Sequence, residues 1–509
     1  MNKLLNGLKD ETNYTVTENG ALTHKTTRSD LLDMFSMGGA MRSRSDEDII
    51  VMFEKAFKEE PIYALKCLFY LRDVRGGQGE RRFFRVAMKY LARYNAKVVR
   101  RNLEYIPEFG RWDDLYVFVG TALEEDAFDI IKKQLKLDLQ CKTPSLLAKW
   151  LKSENTSSKE SRKLGNITRQ HLNMTHKQYR KVLSLLRERI NIVERLMSEN
   201  RWDEIEFDKI PSKAGLKYKN AFARRDIIKA KYETFAKDET TKVNAKTLYP
   251  YECVAEAIKI MCHQNYYSWY DYDYKNVDLD DTNRLMVNKY WDNLADYFNN
   301  SVFNGLAVVD TSGSMTGVKA SAPINVAISL GLYCAEKAKG PFANHYISFA
   351  SRPQLIETEG VDFCDKVARI YRTNLCDDTN IEAVFDLLLY TARGNGCKQE
   401  DLPQNIIIIS DMEFNMAVDH YRHPHLKEGN IETLLEAKAK DWEYFGYKMP
   451  HLIFWNVDAR QNNIPMIEKG PISYVSGMSP VIFETIMSGK TGYDLMMEKL
   501  NSERYSCIK

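Results

Sequence analysis

The chain has 509 residues, 44% of them hydrophobic and 28% charged, with a formal net charge of +2. This excludes a disordered, collagen-like or small disulfide-stapled protein and leaves room for roughly two to four domains with ample core. The near-zero balance is uneven: residues 145–235 hold 21 Lys and Arg against 11 Asp and Glu, whereas residues 301–509 hold 20 against 26, so a polyanion surface is expected mid-chain and not at the carboxyl end.

The nine cysteines (67, 141, 253, 262, 334, 364, 376, 397 and 507) are odd in number and form no C-x-x-C pair, so neither a zinc ribbon nor a disulfide framework is expected. Cys67 and Cys334 lie in apolar helical stretches and read as small core residues. Residues 1–12 lack an apolar segment of signal-peptide length, and no run approaches a membrane span, so the expected location is cytoplasmic and no membrane partner is implied.

In chain order, residues 1–45 read as an amino-terminal arm with one short helix near Asp30 to Phe35. From Asp46 to about Cys262 the pattern is helical. Ser45-Asp46-Glu47-Asp48 is cap-like, Pro61 opens the helix Ile62 to Asp73, and short helices follow: Glu80 to Tyr94, Ala96 to Ile106, Asp113 to Gly120, Asp126 to Leu139, Pro144 to Leu151 and Ser161 to Leu172. Such a run without strands predicts an α-solenoid of HEAT type, and the helical module is assigned to residues 46–299.

Thr175 to Glu199 gives the clearest helical period, with Val182, Leu183, Leu186, Ile190, Val193 and Met197 on one face and Lys177, Arg180, Lys181 and Arg187 on the other. His176 and Tyr179 stand at its start. Arg162, Lys163, Arg169, Lys217, Lys219, Arg224 and Arg225 would enlarge the positive field. A basic helix face is often simply solvated, so the pattern alone leaves that reading open. The tract Tyr266 to Tyr274 is aromatic but carries Asp271 and Asp273, with Asp278 close behind, which disfavours phosphate; packing between domains is expected there.

Residues 300–509 alternate strand and helix: strands to Val309, His345 to Phe349, Ile406 to Ile409, Leu452 to Asn456 and Ile472 to Val475, with helices Ala322 to Lys339, Phe363 to Ile370, Ile381 to Ala392, Ile431 to Phe445 and Pro480 to Met487. This predicts a doubly wound, Rossmann-like α/β domain whose site lies at the carboxyl ends of its strands. Asp310, Ser312 and Ser314 alternate on the loop leaving the first of these strands. Thr379 precedes a helix, and Asp411 ends Ile406-Ile407-Ile408-Ile409. Carboxylate and hydroxyl oxygens suit Mg²⁺, or another divalent cation such as Mn²⁺ or Ca²⁺. An ordinary Ser/Gly-rich turn is the alternative for one loop; three loops in register favour the metal.

The order D-x-S-x-S, then Thr, then Asp resembles the metal-ion-dependent adhesion site (MIDAS) of von Willebrand factor A domains, although Cys376, Asp377 and Asp378 stand before Thr379 where that family often has small residues. The string Leu71-Arg72-Asp73-Val74-Arg75-Gly76-Gly77-Gln78-Gly79-Glu80-Arg81 lacks the preceding strand and the Lys-Ser/Thr of a phosphate-binding loop. It resembles the L-R-D-x-R-G-G-x-G-E-R segment of TROVE-module proteins, the Ro autoantigen family, and of a Ro-like family from bacteria and phages. Ile106 to Asp114, Leu147 to Leu151, Tyr179-Arg180-Lys181 with Leu186-Arg187, and Pro211 to Ala214 extend the resemblance to that second group.

The resemblance implies a helical-repeat ring joined to a von Willebrand A domain, monomeric, in a ribonucleoprotein that binds small non-coding or misfolded RNA. An A-form duplex is bound through phosphates and 2′-hydroxyls, which a basic helix face suits. The alternative is a metal-dependent protein-interaction module without RNA, in which an acidic side chain of a protein ligand completes the metal shell. An enzyme is not expected. A phosphotransferase built on Asp310 would carry a second carboxylate two residues on, where Ser312 stands, and His420, His423 and His425 lie in a polar loop.

Overall fold

A computed structural model of the chain describes residues 12–190, 192–261, 278–317, 319–373, 379–415, 431–466 and 472–509. The Tyr266 to Tyr274 tract, Cys262, Cys376, Asp377, Asp378 and the histidines 420, 423 and 425 lie outside the described residues. The chain forms two compact units that do not follow its order: one runs up to Cys67 and from Ala245 to Ser502, the other from Leu68 to Asn244 with Glu503–Lys509. This differs from a 1–45, 46–299, 300–509 division.

In the first unit, β1 (Tyr14–Val16) and β2 (Leu22–His24) form an antiparallel hairpin. β3 (Gly305–Asp310), β4 (His345–Phe349), β5 (Leu355–Glu357), β6 (Asn405–Ser410), β7 (His451–Asn456) and β8 (Ile472–Ser476) make a sheet in the order β5-β4-β3-β6-β7-β8. All neighbours run parallel except the edge strand β5. The near-continuous apolar runs in β3, β6 and β7 are what parallel strands covered on both faces require. From β3 the chain first builds outward to β4 and β5, then crosses back to place β6 on the other side of β3. The carboxyl ends of β3 and β6 therefore flank the point where strand order reverses, the usual ligand crevice of such sheets.

Pro323–Lys337, buried along most of its length, packs on β3, and Gly331 permits the approach: a Cβ there would lie 2.3 Å from Val309 Cγ2. The expected amino-terminal arm is instead part of this unit. Leu31, Leu32, Met34, Phe35 and Met37 of the helix Asp30–Met37 are buried, and Ser476 Oγ in β8 donates to Phe35 O at 3.3 Å and accepts from Gly39 N at 3.1 Å. Five large apolar side chains in seven residues need such cover. The helix Asp46–Glu59 begins on a capping box between Ser45 and Asp48, as the sequence suggests.

The second unit is helical. Its main elements are Arg82–Tyr94, Glu124–Gln140, Lys159–His171, His176–Arg189, Ser212–Arg224 and Asp226–Lys237, with short 3₁₀ pieces such as Trp112–Phe118 between them. The single helix expected over Thr175 to Glu199 is two, His176–Arg189 and Val193–Ser198. Its apolar face is carried by Tyr179, Leu183 and Leu186 in the first and by Val193 and Leu196 in the second. The chain's last residues pack in this unit: the Tyr505 ring stacks on Phe109 at 5.7 Å, and Arg504 Nη2 donates to Asp73 Oδ1 at 2.6 Å. The Gly-rich turn after Asp73 is tight, with Gly79 at φ +65° and a Cβ on Gly77 falling 2.1 Å from Tyr70 O.

Candidate metal centre and candidate nucleic-acid face

The register of β3 and β6 pairs Val309 with Ile409, which sets Asp310 beside Ser410 at the adjacent strand ends. Asp310 is fully buried. Its Oδ2 accepts from Ser410 Oγ at 2.5 Å and its Oδ1 from Ser312 N at 2.9 Å. Burial first, then the neighbouring Asp411 carboxylate, push the Asp310 carboxyl up to about 7 against those hydrogen bonds. Ser312 Oγ and Ser314 Oγ stand 3.1 Å apart. That matches the edge of about 3.0 Å between adjacent ligands of an octahedral Mg²⁺ with bonds near 2.1 Å.

Thr379 is buried, and its Oγ1 accepts from Asn415 N at 3.2 Å. Asp411 is buried as well; its Oδ1 accepts from Glu413 N at 3.1 Å and its Oδ2 from Arg460 Nη2 at 2.6 Å. Between them Met412 holds a left-handed φ of +65°, which a side chain rarely adopts and which turns Met412 N onto Ser410 Oγ at 3.0 Å. The Asp310-Ser312-Ser314 donors fit a hard divalent cation. The Arg460 guanidinium already answers part of the charge of Asp411, which leaves that residue fewer free lone pairs for a metal.

Three groups at this site were not singled out from sequence. Arg460 follows β7, the next parallel strand, and also pairs with Glu18 at 2.9 Å. Glu413, whose carboxyl burial lifts to about 7, accepts from Asn463 Nδ2 at 2.7 Å and from Glu18 N at 2.7 Å. Asn415 holds Thr379. Position beyond a strand end is the one signal that could have marked Arg460; Glu413, two residues past Asp411, repeats the alternate spacing of the first loop. Among the described residues no group of three or more His, Cys, Asp or Glu side chains gathers as a metal cage.

In the helical unit, Lys177, Arg180 and Lys181 are exposed on His176–Arg189, and Arg162 and Lys163 are exposed on Lys159–His171. The turn between the two helices is held by Arg169 Nη1, which donates to Met174 O at 3.0 Å. Among the described residues these five cations form no ion pair, and Arg180 Nε reaches only its own helix's His176 O at 3.2 Å.

Four of the expected contact residues are placed otherwise. Arg187 is turned inward, donating to Ala148 O, Leu151 O and Ser153 Oγ, each at 2.9 Å, and burial depresses its guanidinium below the ordinary range. Arg169 and His176 both hold Glu154, at 2.8 Å and 3.0 Å. Lys219 is buried at 4% exposure. Arg224 and Arg225 are exposed, with the Arg225 guanidinium 4.9 Å above the Trp202 ring; no hydrogen bond or ion pair among the described residues connects them to the His176–Arg189 face. Beside that face a cavity of about 430 Å³ is lined by Glu154, Tyr179, Arg180, Leu183 and Glu194 among others.

A family model described as a domain of unknown function, DUF2828, matches residues 17–146 and 138–301, and a second, DUF7788, matches residues 304–506. The chain is 28% identical over 522 residues to the uncharacterized protein L728 of Acanthamoeba polyphaga mimivirus, covering 94% of this chain and 85% of that protein. It is similar to the crystal structure of the Deinococcus radiodurans RO (RSR) protein with a TM-score of 0.48 and 13% identity, over 91% of this chain and 100% of that one. Among the described residues no helix is long and apolar enough to cross a membrane.

Proposed function

The chain belongs to the family described as domain of unknown function DUF2828, and from that premise we propose that it is a non-catalytic RNA-binding protein of Ro ribonucleoprotein type, with a divalent-cation site at the sheet's strand ends. The observation that carries the reading is the set of five exposed cations, Lys177, Arg180, Lys181, Arg162 and Lys163, on two consecutive helices, none of them in an ion pair among the described residues. Surface cations of helical proteins are commonly answered by Glu or Asp at helical spacing. Here Glu154 is spent on Arg169 and His176 and Glu188 on Arg195, which leaves Glu160 against the five cations on these two helices. Such a face binds RNA phosphates and releases their counterions.

At the strand ends of the sheet, Asp310, Ser312, Ser314 and Thr379 would hold Mg²⁺ or a similar cation, with Asp411 beside them. The cation would offset the repulsion between two buried carboxylates and present an open coordination position to an acidic side chain of a protein partner. The residues themselves keep the loop turned: Ser410 orients Asp310, and Arg460 orients Asp411.

The test is fluorescence anisotropy with a structured RNA hairpin. Replacing Lys177, Arg180 and Lys181 together by Glu is expected to abolish binding at moderate salt. The wild-type affinity should fall steeply with salt, by about one unit of log–log slope for each phosphate contact. Salt-insensitive binding, or binding that survives the triple replacement, overturns the reading.

A further inference from the structure

The strings at residues 71–81, 106–114 and 147–151 converge on one place in the helical unit. The first supplies Arg72 and Arg81, the second Arg111, Asp113 and Asp114, and the third Trp150, with Lys152 next to it. Asp114 is fully buried. Arg72 Nε and Nη2 reach its Oδ2 at 2.8 and 2.7 Å, Arg85 Nε reaches its Oδ1 at 2.7 Å, and Arg111 N donates to Oδ2 at 2.9 Å. Asp113 takes Arg111 Nε and Nη2 at 2.9 and 3.0 Å, Arg85 Nη2 at 3.1 Å and Lys152 Nζ at 3.9 Å. The Arg111 guanidinium also lies 3.9 Å over the Trp150 ring, which fixes its plane. Gly110 is required beside it, since a Cβ there would fall 2.4 Å from Asp114 Oδ2.

Two carboxylates thus serve four cations, and a fifth, Arg81, sits one turn before Arg85, whose N–H donates to Arg81 O at 3.0 Å, and is exposed with no ion pair among the described residues. Its guanidinium is held below the ordinary range by partial desolvation first and then by Arg111 and Arg85. Glu80, next in sequence, turns its carboxylate to the N–H of Arg82 at 2.8 Å. The cluster is left with an excess of three positive charges over its two aspartates. It is also open to solvent, because the side chains of Arg85, Arg111 and Lys152 are 31%, 21% and 28% exposed. Arg72 and Arg85 already neutralise the buried Asp114. A planar, preorganised set of guanidinium groups is the arrangement that takes a phosphate oxyanion through paired hydrogen bonds. An excess well above one charge matches a dianionic phosphate monoester better than a singly charged diester.

We propose that Arg81, Arg85 and Arg111 form a binding site for a phosphomonoester dianion, supplied by the phosphorylated end of an RNA strand. The source rests on the RNA reading above; the site's chemistry does not. Exposed and unpaired, Arg81 can be changed without disturbing the buried network, so Arg81→Gln is the informative variant.

One short oligoribonucleotide is made with a 5′-phosphate, with a 3′-phosphate and with hydroxyl ends, and its binding to the full chain is followed by anisotropy. Inorganic phosphate and a nucleoside monophosphate are followed by thermal shift. The wild type is expected to prefer a phosphorylated end by about tenfold, the scale of a charge-assisted bidentate contact. Arg81→Gln should lose that preference while changing the affinity for the hydroxyl-ended strand by less than about twofold, and Arg81→Lys should restore part of it. Equal wild-type affinity for all three strands, or a preference that survives Arg81→Gln, overturns the proposal. If the Lys177/Arg180/Lys181 variant loses the hydroxyl-ended strand while the wild type shows no end preference, the RNA reading stands and the phosphomonoester site falls. If no RNA binds but the monophosphate shifts the wild type and not Arg81→Gln, the site stands with a small-molecule source and the RNA reading falls.

Discussion

The two units handle charge in opposite ways. The sheet unit gathers carboxylates in the dark: Asp310, Asp411 and Glu413 are each about 1% exposed or less, at adjoining strand ends. The helical unit answers its buried aspartates in place, Asp114 with Arg72 and Arg85, Asp73 with Arg504 and Tyr505, Asp138 with Gln134 and Ser145, and leaves further cations on its surface. A buried carboxylate without enough counter-charge is costly, and its own unit must hold it in place or supply a cation. An exposed guanidinium costs almost nothing until an anion arrives. The first arrangement suits the one small cation proposed for it, and the second the proposed polyanion.

The largest effect should come from the helical unit's buried ion-pair network. Asp114→Ala leaves Arg72, at 1% exposure, without its carboxylate. Breaking a buried pair on one side costs about 3–5 kcal/mol, so urea denaturation should show a loss of that size or outright failure to fold. A loss below about 1 kcal/mol would mean that water reaches the network and the contrast between the units is false.

Much of the sheet unit was legible because parallel strands covered on both faces read as unbroken apolar runs: His345 to Phe349 matches its strand, and Ile406 to Ile409 lies inside Asn405–Ser410. β5 was not legible, since Leu355–Glu357 is three residues at an edge with Leu355 exposed and has no pattern to show. In the helical unit the sequence places a cation on a helix but does not say what faces it. Arg187 and Arg180 are two turns apart and equivalent by period, yet three acceptors, Ala148 O, Leu151 O and Ser153 Oγ, meet Arg187 and take its donors. Arg460 at the candidate metal centre was hidden for the same reason, because pairing with Asp411 across 49 residues is a property of strand register.

A second carboxyl sharpens the comparison through pH. Asp33, at the start of the sheet unit, is raised from 3.8 to about 6, by burial first, against hydrogen bonds from Thr26 and Thr27. With the folded pKa above the unfolded one, its contribution is fully present below about pH 4 and is lost as pH rises through 6. A rise of that size corresponds to roughly 3 kcal/mol. Asp33→Asn should remove this slope, and the difference in unfolding free energy between variant and wild type should grow in favour of Asn from pH 4 to pH 7. A pH-independent difference would place Asp33 in contact with water.

Asp310→Asn probes the candidate cation site without emptying it of volume. Mg²⁺ at about a hundredfold over its dissociation constant should stabilise the wild type by about 2.7 kcal/mol. The variant should lose that response, read as a Tm that no longer moves with Mg²⁺ or EDTA. Without Mg²⁺ the variant should be at least as stable as the wild type, because the amide removes one of two mutually repelling buried charges. A variant that still responds to Mg²⁺ would show that Asp310 is only a structural hydrogen-bond acceptor for Ser410 and Ser312.

The smallest expected effect tests the surface that the helical unit leaves open. Lys177→Ala, Arg180→Ala or Lys181→Ala alone should leave the melting temperature unchanged, since none of the three is in an ion pair among the described residues. Each should lower the slope of log affinity for RNA against log salt by about one if its side chain meets a phosphate. Arg187→Ala should do the reverse: it takes donors from three internal acceptors, so stability falls by about 1–3 kcal/mol while the salt slope holds. If Arg187→Ala changed the slope as much as Arg180→Ala, the inward-facing arginine would be an RNA contact, and position on the helix would matter more than what the side chain touches.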